Sequence, residues 1–202
     1  MDTQITPGGI LDHLMDTRQF RVDVRRLRTM LRSDNFVIAG GYLRDMVLGK
    51  KPKDFDVYYG GPLLPGIEDL QTLESKTLTT GDDQYEHNYI CTIKKVSGHR
   101  LPIEIIQLTL PVVHVTGKGI ADKFSLGLSK IAFDPKTGLY VAPEFLEDAN
   151  NRTLTIRDRG WGEEGVISHA KRIADKYPDY VFKDPDNLMH PIDPSFNDDI
   201  PF

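Results

Sequence analysis

The sequence has very little cysteine and no long apolar segment. Cys91 is the single cysteine among 202 residues, so no disulfide can form within the chain. The apolar stretches, such as residues 108–115, are far shorter than the ~20 residues that span a bilayer. The first residues lack the basic region and apolar core of a secretory signal. We therefore expect a cytoplasmic protein without internal disulfides and with no membrane partner.

Acidic charge is concentrated in one part of the chain. The formal net charge is −5, and residues 178–202, with six Asp and one Lys, account for all of it. The remaining residues carry equal numbers of acidic and basic side chains, so the net charge does not describe the surface that faces a substrate. Hydrophobic residues make up 39% and charged residues 27%, which is typical of a folded globular protein.

Local patterns predict an α+β fold with a mixed, mostly antiparallel sheet and flanking helices. Apolar residues at helical spacing predict the helices, and β-rich runs between turn residues predict the strands. The predicted helices cover residues 10–15, 20–31, 42–48 and 163–177, with another around Ile67, Leu70 and Leu73. The predicted strands cover residues 36–39 and 54–59, and two hairpins pair 85–96 with 101–110 and 130–133 with 139–141. Five prolines from Pro178 onward predict no regular structure there.

Two aspartates on one predicted strand are the central chemical signal. Because side chains alternate between the faces of a strand, Asp54 and Asp56 point to the same side, about 6–7 Å apart. Glu104 alternates with two isoleucines in the same way on another predicted strand. Carboxylate oxygens suit Mg²⁺, or Mn²⁺ in its place, so these three residues are candidate metal ligands. For Glu104, an exposed carboxylate on an edge strand explains the pattern equally well.

A glycine pair precedes the aspartates. Gly40 and Gly41 lie between a predicted strand and a predicted helix, where a bare backbone can approach phosphate oxygens closely. Arg44 and Asp45 follow within the helix. A triphosphate is the ligand that this combination of glycines and metal-binding carboxylates predicts.

Residues 36–59, with the sequence FVIAGGYLRDMVLGKKPKDFDVYY, resemble a known signature. They are similar to the head domain of class II tRNA nucleotidyltransferases (CCA-adding enzymes) and bacterial poly(A) polymerases, members of the DNA polymerase β-type superfamily. In that signature, GG-x-x-RD precedes D-x-D. The resemblance implies that Gly40 and Gly41 bind the triphosphate, that Asp54 and Asp56 hold two metal ions, and that Arg44 and Asp45 organise the loop or contact the nucleotide.

The resemblance weakens after the first half of the chain. Residues 126–135, LGLSKIAFDP, resemble the family's FTINALAYDP stretch, although Ser129 replaces its Asn and Lys123-Phe124-Ser125 replaces the preceding Arg-Arg-Asp. The EDxxR motif that selects the nucleotide is absent from the sequence. A minimal or diverged member is implied, with a catalytic head domain at residues 1–145, a neck-like helical region at 146–177 and an extended acidic tail at 178–202.

The resemblance implies transfer of a nucleoside monophosphate from an NTP to the 3′ end of an RNA, for which a tRNA is the leading candidate. Two alternatives remain open. The acceptor can be a hydroxyl of a protein or small molecule, as in antitoxin-linked and drug-modifying members of the superfamily. A non-catalytic binding or inhibitory module on the same fold is the other.

Arginines recur every three or four residues along the first long predicted helix. Such a stripe along one face of a helix is equally typical of a solvated surface and of contacts with a nucleic-acid backbone. We take Arg21, Arg25 and Arg28 as candidate RNA contacts. The histidines show no metal-ligand spacing and are assigned no role.

Overall fold

The computed structural model describes residues 4–60, 65–66, 72–80, 89–96, 101–109, 115–158 and 163–185. Its helices are α1 Pro7–Asp16, α2 Arg18–Leu31, α3 Gly41–Val47, α4 Gly117–Ala121, α5 Pro143–Asn151 and α6 Glu163–Lys176, with a 3₁₀ turn at Gly127–Ser129. Its strands are β1 Val37–Ala39, β2 Phe55–Gly60, β3 Thr72–Thr80, β4 Tyr89–Val96, β5 Ile103–Thr109, β6 Ile131–Asp134, β7 Gly138–Val141, β8 Thr153–Thr155 and β9 Val181–Lys183.

Seven of the described strands form one mixed sheet. The strand order is β3-β4-β5-β2-β1-β6-β7. The neighbours pair antiparallel except β2 and β5, which are parallel. Both hairpins that the turn residues predict are present, as β4 with β5 and β6 with β7. The predicted α+β fold with a mixed, mostly antiparallel sheet is therefore confirmed.

The two faces of the sheet pack against different elements. Alternation along β2 places Phe55 and Val57 in a core that they share with apolar residues of α1, α2 and α3. On the other face, Ile106 of β5 packs with Ile120 of α4 in a second, smaller core. Asp56 and Tyr58 alternate with the first set, so they lie on the α4 side of the sheet.

The segment after the sheet folds back onto the first core. Val166, Ala170, Ile173 and Tyr177 of the α6 region are buried in the same core as α1 to α3. β9 then pairs parallel with β8, so α6 is the crossover of a β8-α6-β9 unit. This arrangement fixes the end of α6 against the body of the protein.

Two local sequence predictions are wrong. Leu73 was expected on a helix but lies in β3, while Ile67 and Leu70 are outside the described residues. The prolines from Pro178 onward predict no regular structure, but residues 181–183 form β9, because none of its three residues is proline and β8 supplies a pairing partner. Of the predicted acidic tail, residues 186–202 are outside the described part. The predicted division into head, neck and tail stays a prediction.

No described helix is long and apolar enough to cross a membrane.

A buried carboxylate joins α5 to β8. Asp148 is fully buried and accepts hydrogen bonds from the Thr153 hydroxyl at 2.8 Å, the Thr155 hydroxyl at 2.6 Å and the Thr155 backbone N–H at 3.0 Å. It also lies so close to Gly127 that a Cβ there would meet its Oδ2 at 2.6 Å. Asp148 therefore organises three elements through polar contacts in the interior.

We expect Asp148→Ala to lower the free energy of unfolding by about 3 kcal/mol, because three buried donors lose their acceptor. For a protein of this size the melting temperature should fall by roughly 6–12 °C. The control is Glu147→Ala, which removes an exposed ion pair to Arg157 and should cost about 1 kcal/mol or less. Equal melting temperatures for the two variants would contradict the role assigned to Asp148.

Candidate active site

The two predicted aspartates lie where β2 begins. Asp54 directly precedes the strand and Asp56 is its second residue. Both side chains are partly exposed, whereas Phe55 between them is fully buried. The strand can carry two carboxylates because the residues alternating with them anchor it in the first core.

Glu104 lies directly beside Asp56. The two residues are register partners in the parallel pair formed by β2 and β5, so their side chains leave the same face of the sheet. Burial, together with the negative charges of Asp54 and Glu104, raises the pKa of Asp56 to about 7, against the opposing effect of Arg44 and Arg172. The sheet thus brings three carboxylates close enough to repel one another.

The donor chemistry of this cluster fits a divalent cation. Within the described ranges, no group of three or more His, Cys, Asp or Glu side chains is arranged to hold a metal ion as it stands. Mg²⁺ does not require such a cage, because one or two carboxylates with water and substrate phosphates complete its shell. A cation would also relieve the repulsion that raises the pKa of Asp56.

Gly40 has a backbone conformation that only glycine adopts easily. Its φ is 72° and its ψ is −129°, and its N–H donates to the Ile131 carbonyl at 2.9 Å. A Cβ on Gly40 would lie 2.9 Å from the Phe124 ring, which packs edge-on against Tyr58. Gly41 begins α3 and has more room, since a Cβ there would lie 3.5 Å from Nη2 of Arg44.

Arg44 and Asp45 are both buried, with 5% and 2% of their surface exposed. Nε and Nη2 of Arg44 each lie 2.9 Å from Oδ1 of Asp45, and Nη1 donates to the Ser129 hydroxyl at 3.2 Å. Asp45 also accepts a hydrogen bond from the Tyr177 hydroxyl at 2.7 Å and pairs with Lys176. This residue pair therefore has extensive interior contacts, a feature that the motif alone does not indicate.

α6 contributes two residues that the sequence did not single out as functional. Burial, with a smaller effect of the Arg44 and Arg172 charges, lowers the pKa of His169 to about 4, so the imidazole is neutral at pH 7. Arg172 is exposed, and its charge also acts on Asp56. Both residues precede Lys176 by one or two turns of the helix, so helical spacing places them near the same side of α6.

The arginine stripe on α2 divides into two parts. Arg21 and Arg25 are exposed. Arg28 pairs with Asp34 at 2.7 Å and lies 3.5 Å from the Pro135 carbonyl oxygen. Asp34 precedes β1 and Pro135 follows β6, so Arg28 lies at the end of β1 opposite to Gly40.

No protein-family model and no curated protein matches the chain. Solved structures do share its fold. The Thermotoga maritima CCA-adding enzyme complexed with tRNA aligns with a TM-score of 0.54 and 17% identity over 89% of this chain and 43% of that chain. A CCA-adding enzyme with CTP gives 0.52 and 16% over 90% and 44%. The Bacillus stearothermophilus CCA-adding enzyme with CTP gives 0.51 and 16% over 84% and 42%.

These likenesses show the fold. At the level of the fold, they confirm the distant resemblance to CCA-adding enzymes that the glycine and aspartate motifs predicted. The chain spans less than half the length of these CCA-adding enzymes.

We expect Gly40→Ala to be much more harmful than Gly41→Ala. The first substitution adds a Cβ at positive φ and against the Phe124 ring, and should destabilise the protein by about 2 kcal/mol or more. The second adds a Cβ in ordinary van der Waals contact and should change stability by less than about 1 kcal/mol. Thermal unfolding of both variants tests this, and the reverse order would show that Phe124 does not constrain Gly40.

Proposed function

We propose that the protein is a metal-dependent nucleotidyltransferase that transfers a nucleoside monophosphate from an NTP to the 3′ end of an RNA, with a tRNA as the favoured acceptor. The principal support is the juxtaposition of Asp56 with Glu104 across β2 and β5, with Asp54 at the start of β2. Gly40 directly follows β1, the strand that pairs with β2. A triphosphate bound at the glycine pair would therefore lie next to these carboxylates.

Asp54, Asp56 and Glu104 would hold Mg²⁺ or Mn²⁺. When bound, such a cation polarises phosphoryl oxygens and lowers the pKa of a coordinated hydroxyl. The protein's own contribution is positioning. Gly41, which is partly exposed at the start of α3, would lie beside the phosphates, while the buried Gly40 gives the chain the turn that leads into α3. The rigid register of β2 with β5 keeps the carboxylates on one face. Phosphoryl transfer depends mainly on such positioning and on charge neutralisation.

Arg44 adds a fixed positive charge that acts at both the glycine pair and the carboxylates. Its Nη2 lies 3.5 Å from the position of a Cβ on Gly41, and its charge lowers the pKa of Asp56. Arg172 acts on Asp56 from α6 in the same sense. The two arginines stabilise negative charge at the candidate site, while the neutral His169 adds no charge.

An RNA acceptor is supported by one solved structure that shares the fold, the CCA-adding enzyme complexed with tRNA. The exposed Arg21 and Arg25 are the residues of the α2 stripe that we assign to backbone phosphates. Arg28 is less suited to this role, because its guanidinium already pairs with Asp34.

We expect Asp54→Asn and Asp56→Asn each to lower nucleotide transfer by at least about a hundredfold. Without Mg²⁺, Asp56→Asn should also raise the melting temperature, because it removes repulsion among the carboxylates, and Mg²⁺ should stabilise the parent but not this variant. The measurements are transfer from each labelled NTP to total RNA or to a protein lysate, and thermal unfolding with and without Mg²⁺.

The control for these variants is Asp175→Asn, which neutralises an exposed aspartate on α6. It should leave transfer and the Mg²⁺ response unchanged. Near-normal transfer by either site variant would remove the aspartates from the mechanism. If only the protein fraction carries label, the acceptor is a protein and not an RNA.

The acceptor assignment is tested by the salt dependence of RNA affinity. If Arg21 and Arg25 contact phosphates, the double variant with Gln at both positions should reduce the slope of log K against log salt by about 2. The charge-matched control replaces Arg26 and Arg28 by Gln, and its slope should stay close to that of the parent. Circular dichroism checks that α2 persists. Equal slopes for the two double variants would exclude Arg21 and Arg25 from the RNA site.

A further inference from the structure

Tyr177 lies at the centre of a polar cluster, buried except for Lys176, that we call the Arg44 anchor. The anchor comprises Arg44, Asp45, Ser129, Lys176 and Tyr177. The Tyr177 hydroxyl donates to Oδ1 of Asp45 at 2.7 Å, and the same oxygen lies 2.9 Å from both Nε and Nη2 of Arg44. The Tyr177 ring also lies under the Arg44 guanidinium, with 5.5 Å between the guanidinium carbon and the ring centroid.

The anchor restrains Arg44 on several sides. Asp45 holds one edge of the guanidinium, Ser129 accepts from Nη1 at 3.2 Å, and the Tyr177 ring supports the face. Tyr177 itself is 2% exposed, so the ring has little freedom to move away. An arginine with this number of contacts has one orientation, unlike an exposed arginine that samples many rotamers.

The orientation matters because of what lies beyond the guanidinium. Nη2 would be 3.5 Å from a Cβ on Gly41, so Arg44 lies next to the glycine pair. Arg44 therefore joins the other residues of the anchor to the glycine pair.

The anchor draws its members from distant parts of the chain. Arg44 and Asp45 belong to α3, Ser129 to the 3₁₀ turn, and Lys176 and Tyr177 to the end of α6. Lys176 binds Asp45 and also donates to the Lys51 carbonyl at 2.8 Å, three residues before Asp54. The end of α6 is thus fixed both to the arginine and to the segment that leads into β2.

We propose that Tyr177 is a positioning residue for nucleotidyl transfer: it acts through Asp45 to hold the Arg44 guanidinium beside Gly41. The inference rests on the proposed function. Tyr177 is not placed in contact with the substrate, because its hydroxyl is already committed to Asp45. A buried tyrosine that only anchors α6 would contribute to stability but would not transmit its effect through Asp45.

The test compares Tyr177→Phe with Tyr180→Phe. Each variant loses one hydroxyl, and the Tyr180 ring packs edge-on against Tyr177 with 5.2 Å between centroids, so the two positions are neighbours. For Tyr177→Phe we expect kcat to fall about tenfold at a temperature where circular dichroism shows a folded protein, because a hydrogen bond to a charged group is lost. KM for the NTP should change by less than about threefold, and Tyr180→Phe should resemble the parent.

A double-mutant cycle separates positioning from packing. If Tyr177 acts through Asp45, the Tyr177→Phe, Asp45→Asn double variant should lose no more activity than Asp45→Asn alone. Nuclear magnetic resonance gives a second readout, because the Arg44 Nε–H signal, assigned by its absence in Arg44→Lys, should shift in Tyr177→Phe and stay in place in Tyr180→Phe.

The outcomes are distinct. Normal kcat in Tyr177→Phe, or additive losses in the double variant, would overturn the inference while the proposed function stands, provided that the parent is active and Asp56→Asn is not. If the parent transfers no nucleotide to RNA, protein or small-molecule acceptors, the proposed function fails and the positioning role fails with it. A tenfold loss without additivity, together with a shifted Arg44 signal, supports the inference.

Discussion

Parallel pairing of β2 with β5 places Asp56 beside Glu104, and the electrostatics of the candidate site follow from this register. A shift of either strand by one residue would turn one of the carboxylates into the core and bring an apolar side chain onto the α4 face. The register is protected because Phe55 and Val57 on one strand, and Ile103 and Ile105 on the other, fill the first core. Apolar packing on one face of the sheet therefore fixes the positions of the carboxylates on the other face.

Two arginines, Arg44 and Arg172, oppose this concentration of negative charge. Both come from helices rather than from the sheet. Burying Arg44 would be costly without partners, and Asp45, Ser129 and Tyr177 supply them. The buried polar groups of α3 and α6 are thus linked to the carboxylates on β2, although they lie outside the sheet.

Most of the fold and the central pair of aspartates could be predicted from the sequence because their signals are local. Alternation around Asp54 and Asp56, and the turn residues of the hairpins, need only a few consecutive residues to be recognised. By contrast, β8 and β9 are three residues each and pair across a helix, so neither has a periodic signal of its own. The burial of Asp45 could not be predicted because its partners Lys176 and Tyr177 are more than 130 residues away in the chain.

The parallel pairing of β8 with β9 has a consequence for the order of assembly. During synthesis the chain emerges from its amino end, and α3 with its Arg44 and Asp45 is available long before residues 176–183. Until α6 and β9 are in place, the guanidinium lacks the tyrosine face and the aspartate lacks two of its donors. The carboxylates on β2 and β5 therefore need only the sheet and its packing, whereas the full set of contacts around Arg44 and Asp45 also needs the end of α6, which is synthesised more than 120 residues after these two residues.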